Sequence, residues 1–97
     1  MTRTEDLILS TIREATPVIR VMARRAPDLA RQTERALHSV ALQYAEGAYA
    51  YAEAKEAMTA LRVAVACGAL TAEGARSTLD GLDHVAAVLH LKRTRPR

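Results

Sequence analysis

The sequence has no tryptophan or phenylalanine, and three tyrosines make up its aromatic content. Because β-sheets usually contain more aromatic and β-branched side chains than this, the composition disfavours a sheet-based fold. Alanine, leucine, glutamate and arginine are abundant instead, and all four favour helices. The composition therefore predicts an all-α protein.

The single cysteine, Cys67, has no partner for an internal disulfide, so nothing in the chain depends on an oxidising compartment. The sequence also lacks an apolar run long enough to span a bilayer. Its opening, MTRTEDL, has acids where a signal peptide would begin its apolar stretch. We therefore expect a cytoplasmic protein with no membrane partner.

The motifs that usually identify an enzyme are also missing. There is no glycine-rich phosphate loop, no zinc-binding spacing and no serine triad signature. Glu34 with His38, and Asp80 with His84, are each four residues apart, a spacing that favours a surface ion pair over a metal site. We predict no catalytic residue, no cofactor and no metal, and hence a non-enzymatic protein.

With 97 residues and 10.6 kDa, the chain predicts one domain, because a single hydrophobic core of this size uses nearly all of the sequence. We place this domain at residues 1–91 and a basic tail at residues 92–97. Much of the apolar content is alanine, which contributes little buried area per residue. Oligomerisation would compensate for so small a core.

Apolar spacing predicts four helices. Helix 1 is expected from near Thr4 to about Arg25 with Thr2 as its cap, and Pro17 predicts a kink or a restart capped by Thr16. Helix 2 is expected to open at Pro27 or Asp28. The inward residues of helices 1 and 2 are Ile8, Ile12, Ala15, Ile19 and Met22, then Leu29, Thr33, Leu37, Val40 and Tyr44.

Residues 47–51 form either a turn or a bend in a longer helix, because Gly47 weakens the helix while its alanines favour it. Gly68 is expected to end helix 3 in the left-handed conformation, and Thr71 to cap helix 4. Their inward residues are Ala54, Ala57, Met58, Leu61, Ala64 and Val65, then Leu79, Leu82, Val85, Ala86 and Leu89. Because the connections are short, neighbouring helices run antiparallel in an up-and-down four-helix bundle.

Helix 3 has a second weakly apolar side roughly opposite its inward one. Small outward side chains let another helix approach closely, which suits a subunit interface. Tyrosines near the start of this helix offer apolar area and a hydrogen-bonding tip. The predicted interface residues are Tyr49, Tyr51, Ala60, Val63 and Cys67. The sequence therefore predicts a homo-oligomer.

Arginines recur on helices 1 and 2. Arg13, Arg20 and Arg24 fall on one outward stripe of helix 1, and Arg31 and Arg35 lie one turn apart on helix 2. The tail adds further basic residues, beginning with Lys92 and Arg93. Arginine suits phosphate binding, so these residues are candidates for nucleic-acid contact. A solvated face balanced by nearby acids is the competing interpretation.

Helices 2 and 3 also carry spaced residues that match a known pattern. Gln32, Arg35, Ala36, Ser39 and Val40 lead into Gln43-x-Ala45-Glu46-Gly47, and Glu56, Leu61, Gly68 and Leu70 follow. On these residues the sequence resembles the bacterial four-helix-bundle family of ribosomal-RNA intervening-sequence proteins. The accessory protein Avd of diversity-generating retroelements is related to this family. In the family an asparagine typically stands at the place of Gln43.

The resemblance implies a bundle that commonly assembles as a homopentamer, and the relationship to Avd implies binding to nucleic acid and to a reverse transcriptase. It leaves open whether Glu46 pairs with Arg35 or another arginine of the bundle, or anchors a neighbouring subunit. The chain lacks most of the longer, often basic connection that the family places after Ala-Glu-Gly. This departure weakens the nucleic-acid role.

Overall fold

The computed structural model describes residues 2–94, and side chains through Leu91. Its helices are α1 (Arg3–Ala23), α2 (Pro27–Ala45), α3 (Tyr51–Ala66) and α4 (Ala72–Thr94), and residues 2–94 contain no strand. Each helix packs on the next, and α4 packs back on α1. The predicted all-α, up-and-down four-helix bundle is confirmed.

The start of α1 is fixed by Thr2, whose Oγ1 accepts a hydrogen bond from the backbone N–H of Glu5, as the cap prediction requires. The predicted alternative of a restart at Pro17 is wrong. α1 continues through Pro17, and the Thr16 hydroxyl donates to the Ile12 carbonyl instead of capping a new helix. Pro17 is on the exposed side, so its ring does not interrupt the packed face.

Two glycines end α2 and α3 in the same way. Gly47 has a φ of 80° and Gly68 a φ of 84°, the left-handed conformation that glycine adopts without a steric penalty. In each turn the next residue donates back into the helix, Ala48 to the Gln43 carbonyl and Ala69 to the Ala64 carbonyl, both at 2.8 Å. These are Schellman caps. The segment after Gly47 is therefore a turn, and α2 and α3 are separate helices.

The starts of α4 and α2 were both predicted from the sequence, and Thr71 caps α4 as expected. The Oγ1 atom of Thr71 accepts from the backbone N–H of Gly74 at 2.9 Å. Pro27 opens α2 at its first position, where the missing N–H of proline costs nothing. Both helix starts agree with the sequence prediction.

The core is narrow and rich in alanine, and the bundle measures about 44 × 19 × 18 Å. Its largest fully buried side chains are Met22, Leu37, Val40, Met58, Leu61, Leu82 and Val85, with Thr33 and Thr78. Thr4 and Thr11 are buried as well, although the sequence analysis did not assign them to the core. Thr4 and Thr11 lie at the same spacing as the inward apolar residues of α1, but because they are polar, a pattern of apolar residues does not include them.

Ala60 was predicted to lie on the outer side of α3, and this is wrong. It is only 7% exposed. α3 is enclosed by α2 on one side and α4 on the other, and its buried face is broad: Ala54, Ala57, Ala60 and Ala64 all contribute. Since a methyl group is compatible with either side of a helix, alanine spacing marks the edges of this face poorly.

Candidate functional site

The outward face of α3 is the part of the predicted interface that remains exposed. Val63 is 47% exposed, and Ala66 and Cys67 follow it on the surface. No charged residue lies between Val63 and Cys67 in the sequence. Thr59, Glu56 and Ala52 continue this exposed side toward the start of the helix, so its only apolar part is the end that carries Val63. Of the predicted interface residues on α3, Val63 and Cys67 are therefore exposed and available to a partner, whereas Ala60 is buried.

A second cluster forms where α3 begins and α4 ends, and it contains the two tyrosines of the predicted interface. The rings of Tyr49 and Tyr51 are stacked, with centroids 5.7 Å apart and planes 10° apart. The His90 ring is tilted against Tyr51 at 5.6 Å, and Lys55 Nζ lies 5.9 Å from the Tyr51 centroid. We call Tyr49, Tyr51, Lys55 and His90 the aromatic cluster.

The aromatic cluster is anchored in the bundle and also faces solvent. Tyr51 is half-buried against the core, and Ala50 between the two tyrosines is fully buried. Tyr49, by contrast, is 41% exposed, and His90 and Lys55 are exposed. The two tyrosines are close in the sequence, but the approach of His90 depends on how α3 and α4 align. Spacing within one helix gives no signal for that contact.

The residues of the family motif surround the cap of α2. Gln43 donates through Nε2 to Ser39 Oγ and to Glu53 Oε1, both at 3.2 Å, and so joins α2 to α3. Ala45 is the last residue of α2, and Gly47 supplies the left-handed turn. These positions therefore hold the α2–α3 connection in shape.

Glu46 is exposed and forms no ion pair within residues 2–91. Of the alternatives for Glu46, pairing with Arg35 is wrong, because a separation of eleven residues along a helix corresponds to roughly 16 Å.

The arginine candidates are all on the surface. Arg13, Arg20 and Arg24 are exposed on α1, as predicted, and none of them forms an ion pair with another described residue. On α2, Arg31 is paired with Asp28, whereas Arg35 has no such partner among residues 2–91. The side chains of Lys92 and Arg93 lie outside the described residues. α1 thus presents three uncompensated cations along one helix face.

Two surface depressions accompany these arginines. The larger, of about 760 Å³, is lined entirely by α2, including Arg31, Arg35 and Leu42, so it is the open side of one helix and not an enclosed site. The smaller, of about 520 Å³, lies between the end of α1 and the α3–α4 turn, where Val18, Val21 and Leu70 meet Arg24 and Arg25. Ser39 and His38 both line the larger depression, but the Ser39 hydroxyl accepts a hydrogen bond from Gln43 Nε2 at 3.2 Å, and no hydrogen bond among the described residues joins it to His38.

The His-containing pairs do not make the ion pairs that their spacing favours. Within the described part of the chain, no salt bridge joins Glu34 to His38 or Asp80 to His84. Nor do the described His, Cys, Asp and Glu side chains come together in groups of three that would hold a metal ion.

Of the described helices, none combines the length and the apolar character needed to cross a membrane. Comparisons with known protein families, with curated proteins and with solved structures found no match. The resemblance to intervening-sequence proteins therefore stays a prediction.

Proposed function

We propose that this protein is a non-enzymatic assembly or adaptor protein of the cytoplasm, which acts as a homo-oligomer joined through the outward face of α3. The observation that supports this most directly is the exposed apolar end of that face: Val63 is 47% exposed and is followed by exposed Ala66 and Cys67. The small side chains at this end of α3 allow the backbone of a second helix to approach closely. Burying it would add to a core that is mostly alanine.

The mass of the protein in solution tests this proposal. Light scattering at tens of micromolar should give a multiple of the 10.6-kDa chain, and the family resemblance favours five copies. A strict monomer at that concentration would remove the proposal.

A matched pair of variants localises the contact. Val63→Glu places a charge on the outward face of α3 and should lower the mass, because an unpaired charge is costly to bury in an interface. Val21→Glu makes the same change on α1, where valine is 43% exposed, and should leave the mass unchanged. Equal effects of the two variants would place the contact elsewhere.

Nucleic-acid binding is a second candidate function, supported by the three exposed arginines of α1 that lack ion-pair partners among the described residues. Phosphate contacts by these arginines would make duplex affinity fall with salt, with a log–log slope of about −0.9 for each phosphate neutralised. A flat salt response would leave the arginine stripe as a solvated surface. The reverse-transcriptase partner implied by the relationship to Avd would then lose its support as well.

A further inference from the structure

We propose that the smaller depression docks a short acidic segment of a partner protein, with one bulky apolar side chain of that segment inside it. This inference rests on the adaptor role proposed above and gives that role a partner of defined chemistry. The depression lies between residues 17–25 and residues 68–74, and we call it the turn groove. Its volume of about 520 Å³ is within the range of about 300–1,000 Å³ that is usual for binding sites.

The floor of the turn groove is apolar. Leu70 belongs to the core and is 7% exposed, Val18 is half-buried against that core, and Val21 is 43% exposed. On the side of the α3–α4 turn, Gly68 and Gly74 have no side chains that would fill the space. An apolar side chain of a partner would therefore remove valine surface from water, which favours binding.

The rim of the turn groove is basic. The residues that line it include two arginines, Arg24 and Arg25, and no acid. Neither arginine forms an ion pair with another described residue. Arg25 donates from its guanidinium to the Gly68 carbonyl at 3.5 Å, but a neutral carbonyl does not balance its charge. Both guanidinium groups can therefore bind a carboxylate, the acceptor to which their planar donors are best suited.

The acids that flank the turn groove along its two helices already have partners. Glu73, which precedes Gly74 in α4, pairs with Arg76 at 3.1 Å. Glu14, one turn before Val18 on α1, accepts a hydrogen bond from the Ser77 hydroxyl of α4 at 3.2 Å. Neither acid neutralises the arginines of the rim, so the charge of the groove is complementary to that of an acidic partner.

The start of α4 adds to this attraction for anions. Thr71 and Gly74 line the turn groove and belong to the first turn of α4 and its cap. The first N–H groups of a helix lack acceptors within it, and the positive end of the helix dipole favours a negative charge nearby. The groove thus combines cations and a helix start with an apolar floor. A sugar–phosphate chain would leave that floor uncovered, whereas an apolar side chain flanked by carboxylates satisfies both parts.

Fluorescence anisotropy at physiological salt tests the turn groove with a fluorescein-labelled peptide of about ten residues, in which a pair of leucines lies between runs of aspartate. The wild-type protein should bind this peptide at least about 10-fold more tightly than either of two matched peptides. One has lysine in place of every aspartate and tests the charge. The other has serine in place of both leucines and tests the apolar floor.

Variants of the protein test the floor and the rim separately. Val21→Glu should weaken binding by about 10-fold or more, because it removes apolar contact and repels aspartate. Arg24→Gln combined with Arg25→Gln should weaken binding about 2- to 30-fold, the range expected for two exposed ion pairs. Arg13→Gln combined with Arg35→Gln removes the same charge from exposed arginines outside the groove. This control should change the affinity by less than about 2-fold, because salt screens distant charges.

Light scattering of the same variants distinguishes this proposal from self-association. Val63→Glu should lower the mass and nearly retain peptide affinity, whereas Val21→Glu should lose peptide affinity and retain the mass. Equal affinity for the leucine and serine peptides would overturn the docking proposal, and so would unchanged affinity in both groove variants. If the protein is a multimer that does not bind the leucine peptide, the docking proposal alone fails. If it is a monomer that binds the peptide, only the proposed self-association fails.

Discussion

Gly81 of α4 lies directly against Thr11 of α1. A Cβ atom placed on Gly81 would come within 3.2 Å of both Cγ2 and Oγ1 of Thr11, and Thr11 is itself held by a 2.8 Å hydrogen bond to the Leu7 carbonyl. Glycine here lets the two helices approach each other closely. Because Thr11 is only 4% exposed, its side chain has little room to move aside.

This contact predicts that Gly81→Ala changes the free energy of unfolding in opposite directions, depending on whether residue 11 is threonine or alanine. In the wild-type protein the variant should lower the free energy of unfolding by about 1–2 kcal/mol, because overpacking outweighs the helix propensity of alanine. In a Thr11→Ala background it should raise that free energy by up to about 1 kcal/mol. Urea denaturation followed by circular dichroism measures both. Ala87→Gly, at an exposed site on α4, calibrates the propensity difference; equal effects of Gly81→Ala in the two backgrounds would contradict the tight contact.

Thr78 predicts a gain in stability when its hydroxyl is replaced by a methyl group. Its side chain is 1% exposed, and its Oγ1 has no hydrogen-bond partner among the described residues. Thr78→Val keeps the shape and removes the buried hydroxyl, so the free energy of unfolding should rise by about 1 kcal/mol. Thr33→Val is the matched control, because Thr33 donates to the Leu29 carbonyl at 2.8 Å. It should be neutral or destabilising; a stabilisation as large as that of Thr78→Val would contradict the explanation.

Much of this architecture follows from the sequence. Thr2, Gly68 and Thr71 act as predicted because caps depend on local backbone geometry, which a few neighbouring residues determine. The apolar spacing of α1 also predicted its inward side, where Ile8, Ala15 and Met22 are buried, because a helical period places residues three or four apart on one face. What sequence reasoning missed depends on neighbouring helices.

The burial of Ala60 depends on how closely α2 and α4 enclose α3. The contact of Tyr51 with His90, which joins α3 and α4 in the aromatic cluster, requires the alignment of α3 with α4. Neither is encoded in the period of a single helix.

The two glycine caps predict equal and additive losses of stability. A Cβ on Gly47 or Gly68 would meet no atom within 4 Å, so the cost of Gly47→Ala or Gly68→Ala is that of the left-handed backbone alone. We expect each variant to lower the free energy of unfolding by about 1 kcal/mol, and the double variant by about 2 kcal/mol, since the sites are at opposite ends of the bundle. Urea denaturation measures all three, and asparagine should cost less at either position. A much larger loss for one alanine variant would show that its turn also requires space.

Pro17 should make α1 less stable than the same helix with alanine at position 17. Proline has no N–H to donate, so its place in the middle of α1 removes a backbone hydrogen bond from an otherwise continuous helix. Because Pro17 is exposed, Pro17→Ala changes no core contact and should raise the free energy of unfolding in urea by about 1–3 kcal/mol. The lower part of that range allows for the greater freedom that the unfolded chain gains without proline. Ser10→Ala, at an exposed position two turns earlier, controls for alanine itself. A loss of stability in Pro17→Ala would mean that the packing of α1 depends on the proline ring.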